Sequence, residues 1–188
     1  MRVAALLLAA GGSTRLGSPK QLLLKKGQPL VRRMAQAALD AGCDPVAVVL
    51  GAEAVAVGMA LDGLPLQPVL NPHWRQGMAS SLRAGLEALP SGPVLILLCD
   101  QIAVDADLMG RLLTAHLDHP ERVIACAYGG GLGVPALFPD AWREGLMVLE
   151  GDRGARALLP ADAVALPFPE GVMDVDRLED LSLLHPLD

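Results

Sequence analysis

The most constraining feature of the sequence is an apolar run, residues 3–10, that ends in Gly11 and Gly12. An uninterrupted run of this length, bounded by turn residues, is typical of a β-strand that is buried on both faces. A polar loop follows, in which Arg15 and Lys20 carry positive charge. Because glycines let backbone N–H groups approach a ligand closely, a loop of this kind at the end of a strand is suited to bind an anion. A tight turn between a strand and a helix is the structural alternative.

The charge distribution favours the anion site. The chain has 15 Lys and Arg residues against 21 Asp and Glu residues, a formal net charge of −6. Seven of the basic residues precede Asp40, which is the first acidic residue. An acidic chain with one purely cationic segment is expected to receive an anion there. The overall acidic balance argues against nucleic acid as a partner.

Strands and helices alternate along the chain, and this alternation predicts an α/β fold. Predicted strands occupy residues 3–10, 46–50, 66–70, 94–99, 123–127 and 163–168, and predicted helices occupy residues 29–39, 52–61, 79–89, 106–117, 142–149, 153–159 and 177–184. Residues 129–133 are predicted to be flexible, and residues 134–138 to pair antiparallel as a hairpin or a small arm. We expect one domain over residues 1–188, with a mainly parallel sheet covered by helices on both faces.

Asp100 directly follows the strongest predicted strand, residues 94–99. In parallel sheets ligands bind outside the carboxyl ends of the strands, so Asp100 and the glycine loop are expected at the same edge. A carboxylate buried there costs free energy unless a positive group balances it. Mg²⁺ typically binds through one or two carboxylates plus substrate phosphates, which makes Asp100 a candidate metal ligand. A helix N-cap for the segment that begins near Val104 is the alternative.

The remaining composition narrows the class of protein. The three cysteines, Cys43, Cys99 and Cys126, are odd in number and show no Cys-x-x-Cys spacing, and Cys99 and Cys126 lie in apolar runs. This pattern predicts reduced core residues of a cytoplasmic protein. No apolar run approaches the roughly 18 residues that span a membrane, so no membrane partner is expected. Residues 1–10 also suit a short signal peptide, although its cleavage would remove the strand that carries the loop.

Residues 8–20 read Leu-Ala-Ala-Gly-Gly-Ser-Thr-Arg-Leu-Gly-Ser-Pro-Lys. They match the pattern Leu-Ala-Ala-Gly-x-Ser-x-Arg-x-Gly-x-Pro-Lys throughout, and the chain therefore resembles the MobA-like nucleotidyltransferases. The closest resemblance is to the MocA-like branch, which transfers CMP to the molybdenum cofactor. It implies a Rossmann-like fold of the nucleotide-diphospho-sugar transferase type. It also implies nucleotide contacts at Leu8, Ala9, Ala10, Gly11 and Gly12, and catalytic roles for Arg15 and Lys20.

Two acidic segments resemble the same family. The family has an acidic residue at the position of Asp100, and this chain departs from its pattern only where Ile102 replaces a proline. Residues 174–181 are similar to the closing motif Asp-Ile-Asp-Thr-Pro-x-Asp-Leu, in which the later aspartate of the pair reaches the metal. The resemblance implies Asp176 as the second Mg²⁺ ligand. A capping box of Asp176 with Glu179 is the alternative.

Residues 71–81 are similar to the family segment Asn-x-x-Trp-x-x-Gly-Met-x-x-Ser. The resemblance implies contacts with the base and ribose of the nucleotide at Asn71, Gly77 and Ser81, and an ordinary helix start is the alternative. Residues 131–138 are similar to a segment on the side of the second substrate, with Val134 where the family commonly has His. Residues 151–156 supply two arginines, Arg153 and Arg156, either for an acceptor phosphate or for a solvated helix face.

Together the resemblances imply a Mg²⁺-dependent nucleotidyltransferase. CMP would pass from CTP to the phosphate of a molybdopterin-type acceptor, with pyrophosphate as the leaving group and a molybdenum hydroxylase as recipient of the product. Ala10 favours CTP, because relatives that transfer GMP usually have glycine there; GTP is the alternative. A sugar-phosphate or small-alcohol nucleotidyltransferase, and a nucleotide-binding cofactor chaperone without turnover, are further alternatives.

Overall fold

The computed structural model describes residues 2–184; Met1 and residues 185–188 lie outside them. The strands are β1 (Ala4–Ala9), β2 (Leu24–Lys25), β3 (Gln28–Pro29), β4 (Val46–Leu50), β5 (Gln67–Leu70), β6 (Val94–Leu98), β7 (Ile124–Tyr128), β8 (Gly131–Phe138) and β9 (Val164–Pro167). Seven of them form one sheet in the order β5-β4-β1-β6-β8-β7-β9. In this sheet β8 runs antiparallel to its neighbours and the other pairs are parallel. The predicted mainly parallel sheet is confirmed.

Helices cover both faces of the sheet. They are α1 (Leu30–Asp40), α2 (Ala54–Ala60), α3 (Met78–Ala88), α4 (Ala106–Asp118) and α5 (Arg143–Met147). Every residue of β1 is buried, and its side chains alternate between the two faces. Leu7 packs in the cluster that contains Val31 of α1 and Met109 of α4. Leu6 packs in the cluster on the opposite face with Leu82 of α3. The predicted covering of both faces of the sheet by helices is confirmed.

The antiparallel pairing of residues 134–138 is also confirmed, but β8 begins earlier, at Gly131, within the segment that was predicted to be flexible. The close packing of Tyr128 explains this. A Cβ atom at Gly133 would lie 2.2 Å from Tyr128 Oη, so the glycine admits the ring instead of loosening the chain. A second small antiparallel sheet joins β2 to β3.

Two predicted helices are shorter or tighter than expected. Residues 153–159 form only the 3₁₀ turn Ala155–Leu158, because Pro160 cannot continue a helix and restricts the residue before it. Residues 177–184 form the 3₁₀ segment Leu178–Leu184, in which the Ser182 hydroxyl donates to the carbonyl of Glu179 three residues earlier. Within residues 2–184, no helix combines the length and hydropathy needed to cross a bilayer.

The sheet topology fixes the position of the site. After β1 the chain builds β4 and β5 on one side and then returns to place β6 on the other side of β1. The strand order reverses at this point, where the carboxyl ends of β1 and β6 leave a crevice. The glycine loop follows β1 and Asp100 lies just beyond β6, so both are located at this edge as predicted.

Candidate active site

The loop after β1 folds back over the end of β6. The 3₁₀ turn Lys20–Leu22 carries Lys20, whose Nζ lies 2.5 Å from Asp100 Oδ2. Both side chains are largely buried, with 19% and 12% exposure. The N-cap of α4 is Asp105, whose carboxylate accepts the backbone N–H of Leu108. The capping role that was the alternative for Asp100 is therefore filled by Asp105.

Asp176 reaches the same ammonium group from the distant end of the chain. Asp176 Oδ1 accepts a hydrogen bond from Lys20 Nζ at 2.9 Å, and Asp176 Oδ2 lies 3.2 Å from Arg15 Nη1. The backbone N–H of Val175 donates to the carbonyl of Asp100 at 3.2 Å, and the Val175 side chain is fully buried. This anchor fixes the segment beside the end of β6. The four charged residues that the sequence singled out thus lie together.

The turn that carries Asp176 is held by Asp180. Asp180 Oδ2 accepts the backbone N–H groups of Asp176 at 3.0 Å and Arg177 at 2.8 Å. The acceptor is thus Asp180 and not Glu179, the residue of the capping-box alternative. The carboxylate of Asp176 is directed toward Lys20 and Arg15, and so it is available to the crevice.

The pKa values in the cluster follow from these contacts. Burial alone would lower the pKa of the Lys20 ammonium, but the charge of Asp100 and the hydrogen bonds to Asp100 and Asp176 raise it above its ordinary value. The hydrogen bond from Lys20 lowers the pKa of Asp176, and the charge of Arg15 acts in the same direction. Burial, followed by the charge of Asp100, raises the pKa of Asp174. Lys20 and Asp176 are therefore both charged at neutral pH.

Asp100 and Asp176 have the chemistry to hold a divalent metal ion. Asp100 Oδ1 is buried, and within residues 2–184 it has no hydrogen-bond partner. Such an oxygen costs free energy unless a cation or a donor satisfies it. Over the same residues there is no group of three or more His, Cys, Asp or Glu side chains placed to hold a metal. A two-carboxylate site completed by water and substrate phosphates is the arrangement typical of Mg²⁺, and the pair fits it.

A cavity of about 130 Å³ opens between the ends of β1 and β6 and the start of α3. Its lining includes Leu8, Ala9, Ala10, Gly11, Lys20, Trp74, Gly77, Met78, Ser81 and Asp100. Gly12 lies in an adjoining groove of about 490 Å³ between the glycine loop and Trp74. A Cβ atom on Gly12 would lie 3.1 Å from the Trp74 ring, so the glycine lets the loop pack against this side chain. The cavity and the groove together bring most of the predicted nucleotide contacts to one place.

Asn71 and Gly77 shape this cavity in different ways. Gly77 has φ of 102°, and a Cβ atom there would lie 2.4 Å from the carbonyl of Gly151. Asn71 is buried, and its Nδ2 donates to the hydroxyl groups of Ser80 at 2.9 Å and Ser81 at 3.0 Å. Gly77 and Ser81 lie on the cavity wall, whereas Asn71 lies behind Ser81 and orients its hydroxyl.

A larger cavity of about 710 Å³ adjoins the first, and Leu8, Met78 and Leu98 line both. Val134 and Arg156, from the two segments assigned to the second substrate, also line the larger cavity. Its position beside the first cavity places any molecule bound there next to the charged cluster.

Gln101 and Tyr128 are residues of this larger cavity to which the sequence assigned no role. Gln101 Nε2 donates to the carbonyl of Val134 at 2.7 Å, and the Tyr128 hydroxyl donates to the same carbonyl at 2.8 Å. Gln101 could have been found from its place directly after Asp100. Tyr128 carries no comparable signal, because its role depends on the β7–β8 pairing.

A family model described as the MobA-like NTP transferase domain matches residues 5–165. The chain belongs to the MobA-like NTP transferase family. The matched region of this nucleotidyltransferase family includes Arg15, Lys20 and Asp100, whereas Asp176 lies beyond it. The contact between Asp176 and Lys20 therefore joins the matched region to the segment that follows it.

The chain is similar to the nicotine blue oxidoreductase of Paenarthrobacter nicotinovorans. It is 36% identical over 167 residues, which cover 84% of this chain and 81% of the relative. Its name describes an oxidation–reduction activity, so members of the family do not all carry the name of a transferase.

Solved structures confirm the architecture. Rv0371c from Mycobacterium tuberculosis H37Rv is 30% identical, with a TM-score of 0.80 and complete coverage of both chains. A manganese complex of Rv0371C superposes with a TM-score of 0.76 at 27% identity, covering 98% of this chain and 97% of that one. Molybdopterin-guanine dinucleotide biosynthesis protein A from Archaeoglobus fulgidus shares the fold alone, at 13% identity, a TM-score of 0.70 and coverage of 97% and 96%.

Proposed function

We propose that this nucleotidyltransferase is a cytidylyltransferase that moves CMP from CTP to the phosphate of a molybdopterin-type acceptor. A phosphate oxygen of the acceptor would attack the α-phosphorus, and the bond from that phosphorus to the β-bridging oxygen would break, so that pyrophosphate leaves. The observation that carries the proposal is the convergence of Arg15, Lys20, Asp100 and Asp176 at the mouth of the glycine loop. Reactions of this class need alignment and charge stabilisation more than covalent work by the protein.

The positive residues have distinct positions in this scheme. Arg15 is 69% exposed at the outer side of the loop, which suits contact with the β- and γ-phosphates together with the backbone of Gly11 and Gly12. Lys20 is buried beside Asp100, at the inner side. Its ammonium would lie near the α-phosphate and offset the charge that builds on the transferring group.

Asp100 and Asp176 would hold Mg²⁺, and the unpartnered Oδ1 of Asp100 supports this assignment. Bound there, the ion would supply charge neutralisation at the phosphate oxygens. The manganese complex of Rv0371C is consistent with a divalent metal in a related protein. Asp100 and Asp176 would also fix the orientation of Lys20 until substrate enters.

The acceptor would occupy the larger cavity. The cavity adjoins the charged cluster, and Arg156 at its rim can meet a phosphate. Arg153 is exposed and lies outside the lining, which leaves Arg156 as the better candidate of the two. The resemblance of residues 8–20 to the MocA-like branch is what points to a pterin acceptor, and the product would pass to a molybdenum hydroxylase.

The nucleotide preference would be set near Ala10. Ala10 is buried and lines the smaller cavity, and its Cβ would lie 2.8 Å from a Cβ atom on Gly51. Its methyl group thus takes up space that a glycine in the GTP-using pattern would leave open. A competition assay between CTP and GTP tests this preference.

An oxidoreductase is a second candidate, and the name of the relative that is 36% identical favours it. The large cavity could take an aromatic molecule between apolar walls, but the charged cluster has no evident use in hydride transfer. Oxidation of a reduced nicotinamide cofactor, followed by its absorbance in the presence of the protein and an aromatic electron acceptor, would reveal such an activity. A nucleotide-binding chaperone would bind CTP without releasing pyrophosphate.

The decisive experiment is pyrophosphate release from CTP or GTP, with Mg²⁺ and molybdopterin present or omitted. We expect release that requires CTP, Mg²⁺ and the acceptor together. Binding of CTP without release of pyrophosphate would support the chaperone. Release with a sugar 1-phosphate instead of molybdopterin would support a sugar-phosphate nucleotidyltransferase.

We also propose a cytoplasmic location. It is supported by Cys43, Cys99 and Cys126, which are all buried free thiols. Burial raises the pKa of the Cys99 thiol to about 12.

A further inference from the structure

Gln21 is a buried polar residue directly behind the glycine loop. Only 1% of it is exposed, although it follows the charged Lys20 in the sequence. Its Nε2 donates to the carbonyl of Ala9 at 2.9 Å and to the carbonyl of Gly11 at 2.7 Å. A primary amide has two N–H donors, and both are used here. The opposite orientation of the amide would place its oxygen against two carbonyl oxygens, so the contacts fix which end faces the loop.

The other end of the amide is tied to the far side of the loop. The Ser13 hydroxyl donates to Gln21 Oε1 at 3.4 Å, and Ser13 Oγ accepts the backbone N–H of Lys20 at 3.0 Å. Ser13 has φ of 49°, a left-handed conformation that a non-glycine residue adopts only when its surroundings hold it. Gln21 therefore connects the start of the loop, its central turn and the segment that carries Lys20.

The consequence concerns the direction of the peptide groups. In a trans peptide unit the C=O and N–H bonds point in opposite directions. Because the Gly11 carbonyl is held toward Gln21, the N–H of Gly12 points away from Gln21. Within residues 2–184, the hydrogen bonds found in the loop leave the N–H groups of Gly11 and Gly12 without a protein acceptor.

Without the hydrogen bond from Gln21, the Gly11 carbonyl would be free to rotate, and the loop would then become less suited to bind an anion. If the Gly11 carbonyl turned toward the outer face of the loop, its negative end would repel a polyphosphate and the N–H donor would be lost there. Gln21 itself lines the smaller cavity beside Lys20 and Gly11, and it is close enough to act on the loop without occupying the groove around Gly12.

We propose that Gln21 is a positioning residue that holds the Gly11 carbonyl inward, with the Ala9 carbonyl beside it, and so presents the N–H group of Gly12 to the β- and γ-phosphates of the nucleotide. This inference rests on the proposed function, since it assumes a triphosphate at the loop. A role in packing alone predicts equal damage to every ligand of the site. A positioning role predicts damage that is confined to ligands with the terminal phosphates.

The test compares a nucleoside triphosphate with its monophosphate in the same variants. Titration calorimetry with Mg²⁺ first identifies whether the parent protein binds CTP or GTP, and that base is used throughout. Gln21→Met keeps the size of the side chain and removes both donors, and Gln21→Glu keeps the shape and removes the donors with an added charge. Gln36→Met is the control, because among residues 2–184 the side chain of Gln36 bonds Asp40 on the exposed face of α1 and no other residue. Circular dichroism and thermal unfolding establish that each variant is folded.

We expect Gln21→Met and Gln21→Glu to lose about tenfold or more in affinity for the triphosphate and less than about threefold for the monophosphate. Gln36→Met should change neither. Equal losses for both ligands would reduce Gln21 to a packing residue and overturn the proposal, as would an unchanged triphosphate affinity. A parent protein that binds neither CTP nor GTP would instead contradict the proposed function, and this inference with it.

A measurement on the parent protein covers the case in which the variants do not fold. Nuclear magnetic resonance of the backbone amides should show that the Gly12 N–H signal shifts on addition of the triphosphate and remains in place with the monophosphate. If this signal does not respond to the triphosphate, the Gly12 donor does not face it and the proposal is wrong.

Discussion

Lys20 Nζ lies 2.5 Å from Asp100 Oδ2, although the two residues are 80 positions apart in the chain. The contact joins the loop after the first strand of the sheet to the end of its neighbouring strand. Asp176 then adds a second carboxylate to the same ammonium. One crevice thus contains a buried cation, two carboxylates and a glycine loop, and this combination is what suits it to a metal–triphosphate substrate.

Replacing Lys20 should abolish most of the turnover. For Lys20→Gln we expect kcat to fall by about 10²–10³, because the charge that offsets the transferring phosphoryl group is lost. Steady-state pyrophosphate release measures this loss. Lys26→Gln is the matched control, since Lys26 is exposed on the turn between β2 and β3. A loss of less than about threefold in Lys20→Gln would exclude the proposed role.

Removing either carboxylate should weaken the binding of metal. In Asp100→Asn and in Asp176→Asn we expect the affinity for Mn²⁺ to fall by about tenfold or more, since even outer-shell partners of metal ligands typically contribute 10–100-fold. Electron paramagnetic resonance of free Mn²⁺ reports the affinity without any turnover. Asp62→Asn serves as the control, because Asp62 is exposed and distant from the crevice. An unchanged affinity for Mn²⁺ in both variants would show that Asp100 and Asp176 do not bind the metal.

The ion pair should make the protein more stable at neutral pH than in acid. The pKa of Asp176 is lowered in the folded state by the hydrogen bond from Lys20, from an ordinary value of 3.8. Its contribution to stability is therefore present above pH 3.8 and is lost as the pH falls through the lower folded value. The difference in the free energy of unfolding between the parent and Asp176→Asn should shrink on acidification below that value. Urea unfolding at stepped pH measures it, and a constant difference would contradict the assignment.

Gly77→Ala should destabilise the wall of the smaller cavity. A Cβ atom there would clash with the carbonyl of Gly151 at 2.4 Å, in addition to the strain of its positive φ. We expect a loss of about 2–4 kcal/mol in the free energy of unfolding. Gly63→Ala separates the two causes, because Gly63 also has positive φ but faces open space, and it should cost about 1 kcal/mol. Equal losses in both variants would show that the contact with Gly151 does not matter.

The sequence predicted the parts of the fold that depend on local patterns. Residues 3–10 and 94–99 are uninterrupted apolar runs, and they form the two buried central strands between which the site lies. The sequence did not predict that Gly131 and Gly133 belong to a strand. Glycines indicate flexibility when they are considered alone, and only the packing of Tyr128 against Gly133 gives them another role.

Arg15, Lys20, Asp100 and Asp176 could be singled out as candidates because they stand in short, specific motifs. The residues that hold them in place could not, since their roles depend on contacts between distant segments. Val175 holds Asp176 beside Asp100 through one backbone hydrogen bond, and the contact of Gln21 with Gly11 is visible only once the loop is folded. The alternative of a capping box between Asp176 and Glu179 is wrong for a related reason. The carboxylate that accepts the backbone N–H groups of Asp176 and Arg177 belongs to Asp180, one residue after Glu179.

A crystal structure with Mn²⁺ and a non-hydrolysable CTP analogue would locate the metal and the triphosphate together. We expect anomalous density for manganese within bonding distance of both Asp100 and Asp176, with the triphosphate lying between the glycine loop and Lys20. Manganese bound elsewhere, or a triphosphate that does not touch the loop, would contradict it.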